Sequence, residues 1–241
     1  MLTSPNLIVI YIVVFTTSAF VIFYLVRLLR QAALCLSEDH QRVVKKISLG
    51  LVLWPPFALT VSATFELVEL VLGLMIIGPT LAALWLVSRP LVTEVLERIQ
   101  LHKIVALSAY RIVGMLFLYL YFSSGALSRG FAMNAGWGDI ATALSALAIA
   151  WMIWKQWHYA SLALIVWSVF GVLDLIGAPM SALAYGPQQL VSFPLSLIPV
   201  FLGPPFGIVL HIVTLRVAWI QNRFVTGGKR LADREHVGNA Q

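Results

Sequence analysis

Charged residues and cysteine are both scarce in this chain, and each shortage excludes broad classes of protein. Charged residues make up 11% of the 241 positions and hydrophobic residues make up 60%, whereas soluble domains carry about 25% charged and 45–50% apolar residues. So much apolar surface does not fit into one soluble core, so a lipid bilayer must take it up. The single cysteine, Cys35, excludes a disulfide framework and a thiolate-rich metal cluster.

Motifs for catalysis and for cofactors are missing as well. No Gly-x-Ser-x-Gly, P-loop or Gly-x-Gly-x-x-Gly pattern occurs, and no His-Glu-x-x-His or His-x-x-x-His pair is present to hold zinc. The last apolar segment has no lysine to anchor retinal, and its one histidine does not suffice for a bis-histidine haem. The sequence therefore indicates no catalytic residue, no metal ligand and no particular cofactor, and it weighs against an enzyme.

Long apolar segments alternate with short polar breaks, as in proteins that cross a membrane several times. We place the predicted spans at 7–28, 45–65, 68–88, 104–123, 138–154, 159–179 and 194–219. The first segment is too long for a signal-peptide core and is expected to remain as a span. We predict an all-α fold of seven transmembrane helices in one domain, 1–222, followed by a polar tail, 223–241.

The second and third predicted spans lack a clear turn signal between them. A single helix from Ile47 to Val87 would be about 62 Å long, twice the thickness of the hydrocarbon core. A hairpin near Thr60–Glu69 is therefore required, and Glu66 and Glu69 are the charged residues that mark it.

The basic residues distinguish the two sides of the predicted membrane domain. Of the 16 Lys and Arg residues, all except Arg111 and Arg129 lie in or beside the breaks on one side. The positive-inside rule places that side in the cytoplasm. We predict a multi-pass protein of the bacterial inner (plasma) membrane, with the amino terminus outside and the carboxyl terminus in the cytoplasm. The net charge of +6 is then a topology signal beside anionic headgroups, and no nucleic acid partner is expected.

Ionisable residues within or next to the predicted spans are the candidate site residues. A charge inside the bilayer is costly and usually marks function. Those inside the spans have small residues at helical spacing on either side, as inward-facing positions do. The candidates for ligand-binding or buried polar roles are Arg111, Asp139, Asp174 and His211, together with Glu66 and Glu69 in the hairpin.

Distance along the spans divides these candidates into two levels. Asp139, Asp174 and the two hairpin glutamates are expected near the outer face, whereas Arg111 and His211 lie roughly 12 Å from the inner side. This predicts an acidic outer vestibule above a more basic inner site. Carboxylates at one level bind a cation, hold a proton or meet an amine-bearing ligand.

Each candidate also has a purely structural interpretation. Asp139 follows a Gly-Trp-Gly sequence and is expected to open a helix, where a carboxylate caps the first turn. The hairpin glutamates would be solvated, and His211 would be hydrogen-bonded to a neighbouring helix. For Asp174 the candidate partners are Arg111, Tyr110 or a hydroxyl group on another helix.

Four stretches in the second half of the chain form a recognisable set. They are YRIVG at 110–114, FAMNAGWGD at 131–139, FGVLDL at 170–175 and the proline-rich run at 194–215. Together they resemble a group of uncharacterised bacterial seven-helix integral membrane proteins. The resemblance implies that Arg111, Asp139, Asp174 and His211 belong to one constellation, and it implies no activity.

Three functional hypotheses remain open. The leading one is a carrier or sensor that binds a small ligand or ion within the bundle, with Asp139 and Asp174 as anionic contacts and with Arg111 and His211 as inner polar gates or pairing partners. The alternative is a non-catalytic structural subunit of a larger membrane complex. A third, an intramembrane lipid hydrolase, lacks a nucleophile–base pair. The expected partners are the lipid bilayer, a small ligand or cation, and a membrane protein or second copy of the chain.

Overall fold

The predicted all-α fold is confirmed in the part of the chain that the structure describes. This computed structural model describes residues 4–64, 69–185, 194–201, 203 and 205–221, and within these ranges every regular element is a helix. The elements are α1 (Ser4–Ala33), α2 (Glu38–Thr64), α3 (Glu69–Val87), α4 (Pro90–Glu97), α5 (Leu101–Leu107), a 3₁₀ helix (Ser108–Gly114), α6 (Met115–Ser124), α7 (Arg129–Trp154), α8 (Ala160–Tyr185), α9 (Leu197–Phe201) and α10 (205–221).

Six stretches of the described residues are helical, long and apolar enough to cross a membrane. Each of these stretches overlaps one of the predicted spans. Their length and composition are those of membrane-spanning helices. The stretches are Pro5–Ala33, Glu38–Val61, Leu101–Ser124, Arg129–Trp154, Ala160–Tyr185 and Leu197–Gln221.

The span predicted at 68–88 corresponds to part of a bent pair of helices. Ile76–Val87 and Pro90–Glu97 pass the same criteria only together, and they meet at an angle of 79°. The bend follows from Pro90, because the residue before a proline avoids the helical conformation. Arg89 accordingly has an extended backbone, with φ −73° and ψ 137°. The number of candidate spans is seven if this pair is one span.

The helix that carries Asp139 begins earlier than the sequence indicates. α7 begins at Arg129, and the side chain of Ser128 caps it by accepting a hydrogen bond from the N–H of Phe131. Asp139 therefore lies inside the helix, and the prediction that it opens and caps a helix is wrong. The glycines that suggested a break at 136–138 lie within α7, where they permit close packing.

The two ends of the bundle are each joined by polar contacts between helices. At one end, the hydroxyl of Tyr119 in α6 donates to Oδ1 of Asn6 in α1 at 2.9 Å. At the other end, His40 of α2 lies 2.8 Å from Glu94 of α4, and Nη2 of Arg216 in α10 donates to the Thr93 hydroxyl at 2.9 Å. The start of α2, the short helix α4 and the last turns of α10 therefore meet at one end.

α7 occupies the centre of the second half of the fold. It packs against α8, α5, the 3₁₀ helix and α6, whereas α1 packs mainly against α2. α5, the 3₁₀ helix and α6 form one continuous span, Leu101–Ser124. The predicted site residues lie on these central elements and on α10. Glu66 and the predicted tail, 223–241, lie outside the described residues, as does the side chain of Glu69 at the start of α3.

Candidate functional site: a buried charge cluster

Arg111 is the centre of the candidate site. It lies on the 3₁₀ helix with 2% of its side chain exposed, and both carboxylates of the predicted set contact it. Its Nε donates to Oδ1 of Asp139 at 2.7 Å, and its Nη2 lies 2.5 Å from the same oxygen. Nη2 also donates to Oδ2 of Asp174, and Nη1 donates to the backbone carbonyl of Gly171 at 3.3 Å. All three guanidinium nitrogens therefore have partners.

The cluster carries more negative than positive charge when both acids are ionised. One guanidinium faces two carboxylates, on α7 and on α8. The carboxylates are also the less enclosed part, because the Asp139 side chain is 17% exposed and that of Asp174 is 9% exposed. The phenol of Tyr110 is buried and lies close enough to Arg111 and Asp139 to interact with their charges.

Glycines provide the space that the charged side chains occupy. A Cβ atom built on Gly114 would overlap the side chain of Asp139, and one built on Gly138 would overlap the carboxylate of Asp174. The small-residue spacing in the sequence thus has a specific cause at Gly114, three residues after Arg111, whereas Gly138 adjoins Asp139 in the chain and is not part of that spacing. Any larger residue would displace a carboxylate from Arg111.

His211 adjoins the charge cluster without being hydrogen-bonded to it. Its ring lies against Gly171, the residue whose carbonyl accepts from Arg111. Its centroid is 4.4 Å from that of Trp167, with 54° between the ring planes. His211 is 1% exposed, and neither ring nitrogen has a hydrogen-bond partner among the described residues. The structural interpretation in which His211 is hydrogen-bonded to a neighbouring helix is therefore wrong.

The structure brings Arg111, Asp139, Asp174 and His211 together on four different elements. Of the partners predicted for Asp174, Arg111 is confirmed as a contact. The division into an outer acidic level and an inner basic level is wrong for Arg111, because its side chain joins both carboxylates. Positions along a helix describe the backbone, whereas the guanidinium reaches well away from its own Cα atom.

Two neighbours of the cluster were not singled out from the sequence. Trp167 lies one turn before Gly171 on α8, and its Nε1 donates to the backbone carbonyl of Thr142 at 3.0 Å. Ser168 is fully buried on the same helix. Helical spacing from Gly171 and Asp174 is the signal that would have identified both residues.

Metal-binding side chains and cavities also bear on the function of the bundle. Among the described residues, no group of three or more His, Cys, Asp or Glu side chains is placed to hold a metal ion. A cavity of about 470 Å³ lies elsewhere, between α1, α2, α3 and α10, and its lining is apolar except near Lys46. The polar chemistry of the bundle is therefore separate from this apolar cavity.

The fold and the buried cluster define a class: polytopic helical membrane proteins with an arginine shared by two intramembrane carboxylates. A family model described as Domain of unknown function (DUF8737) matches residues 67–219, and the chain belongs to this family. The matched region includes Arg111, Asp139, Asp174 and His211. No curated protein and no solved structure matches the chain.

Proposed function

We propose that this protein binds a small cation or a protonated amine at Asp139 and Asp174 and acts as a carrier or sensor in the bacterial inner membrane. The observation that carries the proposal is the sharing of one buried guanidinium by two carboxylates. With both acids ionised, one negative charge is left without a counter-charge. An uncompensated charge inside a membrane protein is costly, and a bound cation or proton removes that cost.

The exposure of the three side chains favours a cationic ligand. The guanidinium is sealed at 2% exposure, whereas the carboxylates retain 17% and 9%. A ligand that approaches the cluster from the side of these more exposed aspartates therefore meets their carboxylates before it meets Arg111. Such a ligand would compete with Arg111 for the same oxygens.

This competition supplies a means of coupling binding to a change of shape. The Arg111 contacts join the 3₁₀ helix to α7 and to α8. A cation that replaces Arg111 at either carboxylate weakens the connection between the 3₁₀ helix and that carboxylate's helix. The cation then shifts the protein from one helix arrangement to another if it binds the two arrangements with different affinity. Carriers and sensors both need a helix arrangement that depends on ligand binding.

The proposed arrangement in the membrane has seven spans, with α3 and α4 together forming the third and with the amino terminus outside. The polar contacts of the fold support it. The end of the bundle where α2 begins and α10 finishes carries His40, Glu94 and Arg216, and the sequence places most basic residues at that end. By the positive-inside rule this end faces the cytoplasm.

A binding experiment on purified protein in lipid nanodiscs tests the proposed function. Thermal unfolding is measured in lithium, sodium, potassium, ammonium and methylammonium chloride, at constant ionic strength set with tetramethylammonium chloride, whose cation has no N–H group. A ligand that binds only the folded state stabilises it by about 2.7 kcal/mol at 100 times its Kd. We expect one of these cations to raise the unfolding temperature of the natural protein and not that of Asp174→Asn.

The matched control is Asp39→Asn. Asp39 is an exposed residue at the start of α2 that pairs with Arg42 at 3.4 Å, so this variant should keep the cation response. A response lost equally in both variants, or no response to any of the cations, would contradict the proposal. If Asp174→Asn lowers stability equally in every salt, the charges serve helix packing, as expected for a structural subunit of a complex.

A further inference from the structure

A second polar layer lies one helical turn from the charge cluster. Three elements carry a hydroxyl residue three positions from a site residue: Ser108 before Arg111, Thr142 after Asp139 and Thr214 after His211. On α8, Ser168 lies three positions before Gly171, whose carbonyl accepts from Arg111, and six positions before Asp174. Because neighbouring spans run in opposite directions, these offsets all point toward the same end of the bundle, where α7 finishes.

These hydroxyls are sealed from the exterior, and no residue that the structure describes is hydrogen-bonded to them. Ser108 is 1% exposed, and Thr142, Ser168 and Thr214 are each 0% exposed. Within the part of the chain that the structure describes, none of the four hydroxyl oxygens has a hydrogen-bond partner. A buried polar group without a partner costs about 1–3 kcal/mol, so four in one layer call for a physical explanation.

Hydroxyls elsewhere in the described residues show both behaviours, since Ser48 and Ser196 are also buried without a hydrogen-bond partner. Serine and threonine in a membrane helix usually donate to the carbonyl three or four residues earlier. Nine residues elsewhere in the described part of the chain do so: Thr16, Ser18, Thr60, Thr80, Ser88, Thr93, Ser124, Ser145 and Ser181. The layer is distinguished by its position: of the six buried hydroxyls without a partner in the described residues, four lie on the elements that carry the charge cluster and His211.

His211 connects this layer to the charge cluster. Its ring contacts Gly171, whose carbonyl accepts from Arg111, and it packs on Trp167, whose Nε1 donates to Thr142. Both imidazole nitrogens lack a partner at 1% exposure. The layer thus offers two ring nitrogens and four hydroxyls beside Asp139 and Asp174.

Apolar residues of α5, α7 and α8, one turn further toward the end where α7 finishes, close the layer. Val105 lies three residues before Ser108, Ala146 lies four residues after Thr142, and Leu164 lies four residues before Ser168. These three side chains belong to one buried cluster and are at most 2% exposed.

We infer that His211, Ser108, Thr142, Ser168 and Thr214 hold internal water in a chamber that adjoins the carboxylates and is closed by Val105, Ala146 and Leu164. Buried water makes about three hydrogen bonds to polar groups that otherwise lack partners, and this layer provides both donors and acceptors. The inference deepens the proposed function, because it gives Asp139 and Asp174 a route for protons toward the end where α7 finishes, blocked by one apolar layer.

Radiolytic hydroxyl-radical footprinting in nanodiscs tests for the water directly and does not depend on cation binding. Radicals form from bound water, so buried side chains beside water are oxidised. We expect His211 and Trp167 to be modified several-fold faster than Phe201, an aromatic residue that is 1% exposed in an apolar cluster. Ser168→Ala combined with Thr214→Val should reduce the modification of His211. Equal rates at His211 and Phe201 would overturn the inference.

Proton flux into liposomes containing a trapped pH-sensitive dye tests the apolar closure. Leu164→Ser places a hydroxyl in the closing layer and should produce a proton leak under a potassium diffusion potential. Leu162→Ser is the matched control, because Leu162 is on the same helix and is 61% exposed. Adding His211→Phe to Leu164→Ser should abolish the leak. A leak that is the same in both serine variants, or that survives without His211, would overturn the proposed route while leaving the cation-binding test unaffected.

Discussion

At the scale of single residues, glycine determines whether the charge cluster can form. Gly114 and Gly138 lie where the side chains of Asp139 and Asp174 must pass, and Gly171 lies where the His211 ring packs. Polar side chains inside a membrane domain need close backbone approach to reach one another. The spacing of small residues around the candidate acids is visible in the sequence, but the particular contact that each glycine permits is not.

The glycine at 138 provides a direct test of this packing. Gly138→Ala would place a methyl group on the carboxylate of Asp174, so we expect the free energy of unfolding to fall by about 1–3 kcal/mol. Denaturant unfolding in detergent micelles, followed by circular dichroism, measures the change.

The matched control for this substitution is Gly177→Ala on α8. A Cβ at Gly177 meets no atom within 4 Å, and alanine is favoured over glycine in a helix by up to about 1 kcal/mol. The control should therefore be neutral or stabilising. Equal destabilisation by the two alanine variants would show that Gly138 is not placed to make room for Asp174.

At the scale of elements, the 3₁₀ helix aligns Arg111 of the charge cluster with Ser108 of the second polar layer and with Gly114. With three residues per turn, positions three apart lie directly above one another. Ser108, Arg111 and Gly114 therefore form one row, all buried. In an α-helix the same residues would drift around the axis. The sequence shows this spacing, but the choice of 3₁₀ over α geometry depends on packing against α7.

The contact between α6 and α1 yields a prediction at this scale. The Tyr119 hydroxyl donates to Asn6 at 2.9 Å, and Asn6 is 3% exposed. Tyr119→Phe leaves this amide oxygen with a weaker contact to Ser123 at 3.4 Å, so we expect a loss of about 1 kcal/mol in unfolding free energy. Tyr159→Phe, at a position 70% exposed, should change little in the same assay. Similar losses in the two variants would argue against the contact.

At the scale of the whole molecule, the orientation in the membrane remains a prediction from the basic residues. The chain is well suited to test it, because Cys35 is its single cysteine and is exposed. A membrane-impermeant maleimide should leave Cys35 unlabelled in intact cells and should label it in inverted membrane vesicles. The reason is that Cys35 lies between α1 and α2, at the end predicted to face the cytoplasm.

The complementary variant labels the opposite end. In a Cys35→Ser background, Arg129→Cys places a thiol at the start of α7, at an exposed position. This variant should be labelled in intact cells. Labelling of Cys35 in intact cells together with protection of the new cysteine would reverse the proposed orientation.

The sequence by itself determined the helical class and indicated Arg111, Asp139, Asp174 and His211 as ionisable residues within the apolar segments. Apolar segments long enough to cross a bilayer form helices there, because a helix satisfies its own backbone hydrogen bonds. A charged residue within such a segment is rare and is therefore easily recognised. Only the tertiary structure decided that Arg111 bridges Asp139 and Asp174. Helical periodicity gives the face on which a residue lies. It does not give the rotation of one helix against the next or the reach of an arginine, because both depend on contacts between residues far apart in the chain.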